Sequence, residues 1–183
     1  MPASKIMLMR HAEKPSDDGT VLGVTQTGVA DQDELSVRGW QRAGGLAHLF
    51  SVLGGAGPIG ELAKPRALFA PAIAGPVKSK RSRHTILPLA KRLGLVTDTQ
   101  YAKDDLAGLS QALVQAEGVV LACWEHKVIP QIANEILGNS TDVPQLWPDD
   151  RFDVIWVLDA TSSGWSFNQV PQLVLGGDEE AEI

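Results

Sequence analysis

Apolar and polar positions along this chain fall into short blocks whose period switches between that of a buried strand and that of an amphipathic helix. Ile6-Met7-Leu8-Met9 is an unbroken apolar run, and residues 5–9 read as a first strand. A run without alternation suits a strand covered on both faces. Residues 14–34 follow, rich in Gly, Asp and Thr and without period. A connection of about 20 residues with no elements of its own is usually functional or disordered. Ser36 has the side chain of a helix N-cap, and Ala43, Leu46, Ala47, Phe50 and Leu53 then recur at helical spacing until Gly54-Gly55 ends the pattern.

Ala67-Leu68-Phe69-Ala70 reads as a second strand, with a Pro/Gly loop after it. Residues 79–93 place Ile86, Leu89, Ala90 and Leu93 on one helical face, and Pro88 within them predicts a kink or a late start. Asp104 or Asp105 is placed to cap a third helix bearing Leu106, Leu109, Ala112 and Leu113. Residues 119–124 form a third strand. Pro130 opens a fourth helix, with Ile132, Ala133, Ile136 and Leu137 inward and Gly138 just past its end. Residues 154–158, 165–167 and 173–175 then read as strands.

Strands alternating with helices predict an α/β fold, a three-layer α/β/α sandwich around a mainly parallel central sheet, with the C-terminal strands as an antiparallel edge. The pattern shows no repeat and no linker, so residues 1–183 are expected to form a single domain, with an acidic tail from about residue 176 that frays.

Composition narrows the function. Apolar residues make up 44% of the chain, enough for a sizeable core, while the net charge is −6 and the pI about 5.1. Such a chain is a poor candidate for nonspecific nucleic-acid binding or for an anionic membrane surface, both of which rest on basic patches. The single cysteine, Cys123, cannot form an intrachain disulfide and sits in an apolar run, which reads as a buried strand position. No run reaches the ~18 apolar residues of a bilayer span, and the N-terminus lacks a signal-peptide core, so a cytoplasmic location is expected.

Three predicted strand ends carry the candidate chemistry. Arg10-His11 closes the first, Arg81 and Arg83 come after the second, and Glu125-His126 closes the third. In a parallel sheet these ends face one crevice, so residues far apart in sequence meet there. Two imidazoles facing one or two guanidiniums suit a phosphate ester. Arginine offers fixed paired donors to phosphoryl oxygens, one neutral imidazole can attack phosphorus, and a second can hold the equatorial oxygens. Arg81 and Arg83 point to nearly opposite sides of a helix, and the helical wheel does not choose between them. Arg83, Lys78 and Lys80 are either solvated or meet additional negative charge on a substrate. The four histidines lack the paired spacing of zinc ligands, and no phosphate-binding glycine loop of nucleotide enzymes is present. His48 reads as structural and His84 as surface. The five tryptophans read mostly as packing, with Trp124 a candidate lining of the substrate opening.

Arg10-His11-Ala12-Glu13 resembles the Arg-His-Gly motif of the histidine phosphatase superfamily, the phosphoglycerate mutase-like proteins. Leu35-Ser36-x-x-Gly39-x-x-Arg42-Ala43, Arg81-x-x-x-Thr85 and Glu125-His126 resemble its further signatures, in the family's order across residues 6–137. The Arg-His-Ala-Glu-Lys-Pro start, with residues 152–178, is similar to a small RHAE-type branch. The resemblance implies a phosphoglycerate mutase-like fold and a metal-independent phosphomonoester hydrolase without cofactor. By it, His11 becomes phosphohistidine, and Arg10, His11, Arg81 and His126 form the phosphate pocket. The motif spacing favours Arg81 over Arg83. Ala12 stands where the family has glycine, and Glu125 and Lys127 flank the second histidine where small residues are usual. The proton donor is open among Glu13, Asp104, Asp105 and Glu125. Asp105 is placed slightly ahead by its position between the second arginine and the second histidine, although helix capping is its simpler duty. The expected partner is a small phosphorylated substrate or a phosphoprotein, with no nucleic acid and no membrane. A phosphoglycerate mutase-type transfer and a non-catalytic phosphoester-binding protein are the alternatives.

Overall fold

The computed structural model describes residues 2–55, 57, 58, 60–74 and 78–183. The middle of the Pro/Gly loop expected after the second strand lies outside them. The elements in chain order are β1 (Ala3–Arg10), α1 (Val37–Val52), β2 (Ala67–Phe69), α2 (Arg81–Leu93), β3 (Thr97–Asp98), α3 (Leu106–Gln115), β4 (Gly118–Trp124), α4 (Ile129–Leu137), β5 (Val154–Thr161) and β6 (Gly164–Pro171). They build one sheet in the order β3-β2-β4-β1-β5-β6. The first four strands of that order pair in parallel, and β5 and β6 extend the sheet antiparallel beyond β1. This is the expected mainly parallel α/β sandwich with an antiparallel edge.

The apolar runs are continuous because helices cover both faces. Ile6 and Leu8 of β1 pack with Val120, Ala122 and Trp124 of β4 against Leu109 and Leu113 of α3 and Ile132 of α4. Met7 and Met9, with Leu121 and Cys123, pack against Leu46 and Phe50 of α1 and Ile86 and Leu89 of α2. Neighbours along a strand thus enter opposite layers, as the pleat requires.

Local signals set the helix ends. The Ser36 hydroxyl accepts from Gly39 N–H, the Asp105 carboxylate accepts from Gly108 N–H, and Gly138 closes α4 at a left-handed φ of 73°. Four expectations need correction. α2 starts at Arg81 and runs straight through Pro88, so the late start is not there. The two-residue β3 carries no periodic signal and exists through its pairing with β2. Leu173-Val174-Leu175 is not a strand, because Leu173 has a φ of 50° and the Asp178 carboxylate takes the N–H groups of Val174 and Leu175. The tail from residue 176 is docked rather than frayed. Asp178 pairs with Arg42 at 2.7 Å, the Ala181 carbonyl accepts from Arg151, and Ile183 exchanges hydrogen bonds with Gln169. No helix is long and apolar enough to cross a membrane.

Candidate active site

The parallel pairing of β1 and β4 sets Arg10 beside Trp124, and His11 N–H extends the ladder by donating to the Trp124 carbonyl at 3.2 Å. The residues that leave the two strands, His11 on one and Glu125-His126 on the other, therefore emerge side by side at the carboxyl edge. The start of α1 is pressed onto the same backbone. Ser36 N–H and its hydroxyl both donate to the Glu13 carbonyl, and a Cβ on Gly39 would lie 2.4 Å from that oxygen. Only glycine fits at 39.

His11 is buried, and its Nδ1 lies 2.7 Å from the Ala12 carbonyl. A carbonyl only accepts, so Nδ1 carries the proton and Nε2 is left with its lone pair. Burial pushes the ring down to a pKa of about 4; the Ala12 carbonyl opposes this, and the nearby charges of Arg10, Arg81 and His126 reinforce it. The imidazole is neutral at pH 7. These same interactions put the four expected pocket residues in one field. Ala12 N–H in turn donates to Thr85 Oγ1 at 2.8 Å, and the Thr85 hydroxyl donates to the Arg81 carbonyl at 2.8 Å.

Arg10 projects from the end of β1 onto the loop before β5. Its Nη1 donates to the carbonyls of Pro148, Asp149 and Arg151, and its guanidinium lies 3.8 Å from the centre of the Phe152 ring. Its Nε is buried without a partner. Burial holds its pKa down to about 10 against the charges of Asp149, Asp150, Glu13 and Glu125. His126 is likewise buried. Its Nε2 meets Asp149 Oδ1 at 2.6 Å, and its Nδ1 has no partner. Burial and then Arg10 push the His126 ring below the ordinary imidazole range, against the pull of Asp149. Among the described residues only Ser110 Oγ joins these two atoms as a buried side-chain polar atom left unpaired.

Arg81, at the first position of α2, lines the pocket with His11, whereas Arg83 is exposed and does not. Arg81 Nη2 donates to the Gln32 carbonyl at 2.6 Å and Nε to the Glu34 carbonyl at 3.3 Å, so the loop over residues 14–34 holds this guanidinium. His84 is not a surface residue. Its Nδ1 meets the buried Glu34 carboxylate at 2.5 Å and its ring lies 5.5 Å from that of Trp40. Trp124 is core, with its indole N–H on the Lys103 carbonyl, and lines no opening.

The carboxylates separate by duty. Glu13 is bound to Arg42 at 2.9 Å and to Arg38 at 3.1 Å and faces a different groove, with Asp178 and Glu179. Asp105 caps α3 and is exposed, and Asp104 beside it is exposed too; neither lines the pocket. Glu125 is the carboxylate that does line it, 2.7 Å from Lys103 Nζ. Burial raises its pKa, but the Lys103 hydrogen bond and the charges of Lys103, His126 and Lys127 outweigh this and hold it below the usual carboxylate value.

No family model and no curated protein matches the chain. Solved structures do. The α-ribazole phosphatase of Shigella flexneri superposes with a TM-score of 0.58 at 10% identity, over 96% of this chain and 100% of that one. The protein histidine phosphatase SixA in complex with tungstate gives 0.56 at 14% identity, over 92% and 97%. A mycobacterial glucosyl-3-phosphoglycerate phosphatase in complex with VO3 gives 0.55 at 14%, over 91% and 97%. This chain has the histidine phosphatase fold.

On that fold the pocket beside His11 has a volume of about 360 Å³ and is also lined by Lys78, Ser79, Ser82 and Lys103. A larger cavity of about 580 Å³ opens at the other end of the strands, around Ala3 and Gly118, and contains no histidine. Among the described residues no three His, Cys, Asp or Glu side chains come together as metal ligands do. Sequence reasoning missed Asp149 and Phe152, which sit in an aperiodic loop and reach the histidine phosphatase site only through folding. The lone signal for them is a charged cluster, Asp149-Asp150-Arg151, directly before an apolar strand.

Proposed function

We propose that this chain is a phosphomonoester hydrolase of the histidine phosphatase superfamily, working through a phosphohistidine on His11. The observation that carries this reading is the pair of buried, unpartnered atoms, Arg10 Nε and His126 Nδ1, in the same field as the bare Nε2 of His11. Leaving a buried polar group unpaired costs about 1–3 kcal/mol. Two such groups on the residues expected to bind phosphate fit a pocket that awaits an anion. Two of the structural neighbours are named as oxyanion complexes, with tungstate and with VO3.

In the reaction, His11 Nε2 attacks phosphorus while the ester oxygen leaves on the opposite side. Arg10 and Arg81 neutralise the phosphoryl oxygens. The dianion draws a second proton onto His126, so that Nε2–H stays on Asp149 and Nδ1–H meets a phosphoryl oxygen. Glu125 supplies the proton to the leaving oxygen. Its carboxyl is ionised in the empty pocket, and the arriving dianion raises its pKa toward the protonated form. Water then attacks the phosphohistidine and loses its proton to Glu125. The P–N bond breaks and inorganic phosphate departs. With its one thiol buried and no disulfide to maintain, the protein fits a cytoplasmic setting.

The test is hydrolysis of an aryl phosphate combined with acid quenching. The expected results are free phosphate, an acid-labile phosphoenzyme, and loss of both in His11→Ala. Undiminished turnover in His11→Ala overturns the nucleophile. Equilibration of 3-phosphoglycerate to its 2-isomer without release of phosphate would favour the mutase instead.

A further inference from the structure

The pocket carries more positive charge than a phosphoryl group requires. On the proposed reading, Arg10 and Arg81 already match the two charges of a phosphoryl dianion. Lys78 and Lys103 line the same cavity, against Glu125 as its one acidic lining residue. The lysines around the site are not equivalent. Lys80 has two carboxylates, Asp31 at 2.8 Å and Glu34 at 3.4 Å. Lys103 has one, Glu125 at 2.7 Å. Lys78 is exposed at the pocket rim, and no carboxylate pairs with it among the described residues. This excess stands in a protein whose overall charge is −6.

Catalysis sharpens the imbalance. To act as an acid Glu125 must be protonated, and a protonated carboxyl no longer balances Lys103. In the reactive state both Lys78 and Lys103 then face the space where the leaving group lies, without a counter-charge. We propose that the leaving group supplies it: the substrate is a small phosphomonoester whose alcohol portion carries a second anionic group, a carboxylate or another phosphate, seated against Lys78 and Lys103. This rests on the phosphatase reading and names its substrate class. A cavity of about 360 Å³ lies at the small end of ligand sites, which run from about 300 to 1,000 Å³, and so favours a metabolite over a folded phosphoprotein.

Two substrates of near-equal size test this, 4-carboxyphenyl phosphate and 4-carbamoylphenyl phosphate, one anionic and one neutral beyond the phosphoryl group. At low salt kcat/KM should favour the carboxylate by about tenfold, and the ratio should shrink as salt screens the lysines. The ratio should fall toward one in Lys78→Ala and below one in Lys78→Glu. If neither compound is hydrolysed, the phosphatase reading itself fails. If both are hydrolysed equally, or the preference survives in Lys78→Glu, the second-anion subsite is wrong and the phosphatase reading stands. A phosphopeptide cleaved with higher kcat/KM than either compound overturns the metabolite class. A second anion seen as 2-phosphoglycolate or as a bisphosphate, each at higher kcat/KM than ethyl phosphate, distinguishes the carboxylate from the phosphate source.

Discussion

Arg10 and Arg42 are each 2% exposed, yet they are partnered in opposite ways. Arg42 is saturated. Its Nε donates to Glu13, its Nη1 to Gln172 and Asp178, and its Nη2 to Glu13 and Asp178. Burial would lower its pKa, but the bonds to Asp178 and Glu13 outweigh this and raise it. Arg10 bonds through Nη1 only, lies on an aromatic face, and is held down to about 10. A guanidinium with every donor matched inside the protein ties segments together. One with a donor left over is a receptor. The contrast separates a structural arginine from a binding one without reference to either motif.

Four measurements can break or sharpen the contrast. The largest effect is expected from Arg10→Ala, which should lower kcat/KM by about 10²–10³-fold with little change in melting temperature. Unfolding with retained specific activity would reverse the two roles. Arg42→Ala should do the opposite, destabilising by about 3 kcal/mol in chemical denaturation, because Glu13 and Asp178 lose their shared cation. The low end of the range for a broken buried pair applies, since the cluster borders an open groove. The third measurement is the acid limb of kcat/KM. His11 attacks only when neutral, so activity should persist as pH falls below the usual imidazole value and be lost through about pH 4. A limb near 6.5 would mean a solvated ring. The smallest effect belongs to Arg83→Ala, expected to change kcat/KM less than about twofold because the side chain is exposed and outside the pocket. A loss like that of Arg10→Ala would mean that the wrong guanidinium has been placed on the phosphate.

How legible each part was follows from how local its cause is. Ile6 to Met9 could be read as a strand because helices on both faces make its burial continuous, and Ser36 could be read as a cap because its partner is three residues away. The meeting of Arg10, His11, Arg81 and His126 followed from strand ends alone. Arg81 could be told from Arg83 by motif spacing but not by the helical wheel, because what fixes it is a pair of carbonyls at Gln32 and Glu34. Glu13 and Asp105 looked like acids by position, and the structure commits them to Arg42 and to a helix cap. The tail looked loose because its charges find their partners far away, Asp178 on Arg42 and Glu179 on Arg151. Asp149 had no periodic frame at all.

Thr85 sits on neither of the strands that present the imidazoles. Its oxygen fixes the Ala12 amide, and the far side of that same residue supplies the carbonyl that decides which nitrogen of His11 holds hydrogen. The nucleophile's tautomer is thereby wired to a helix on one flank of the sheet. A change confined to that helix, such as Thr85→Val, can retune the ring's basicity while every group that touches the anion stays as it was.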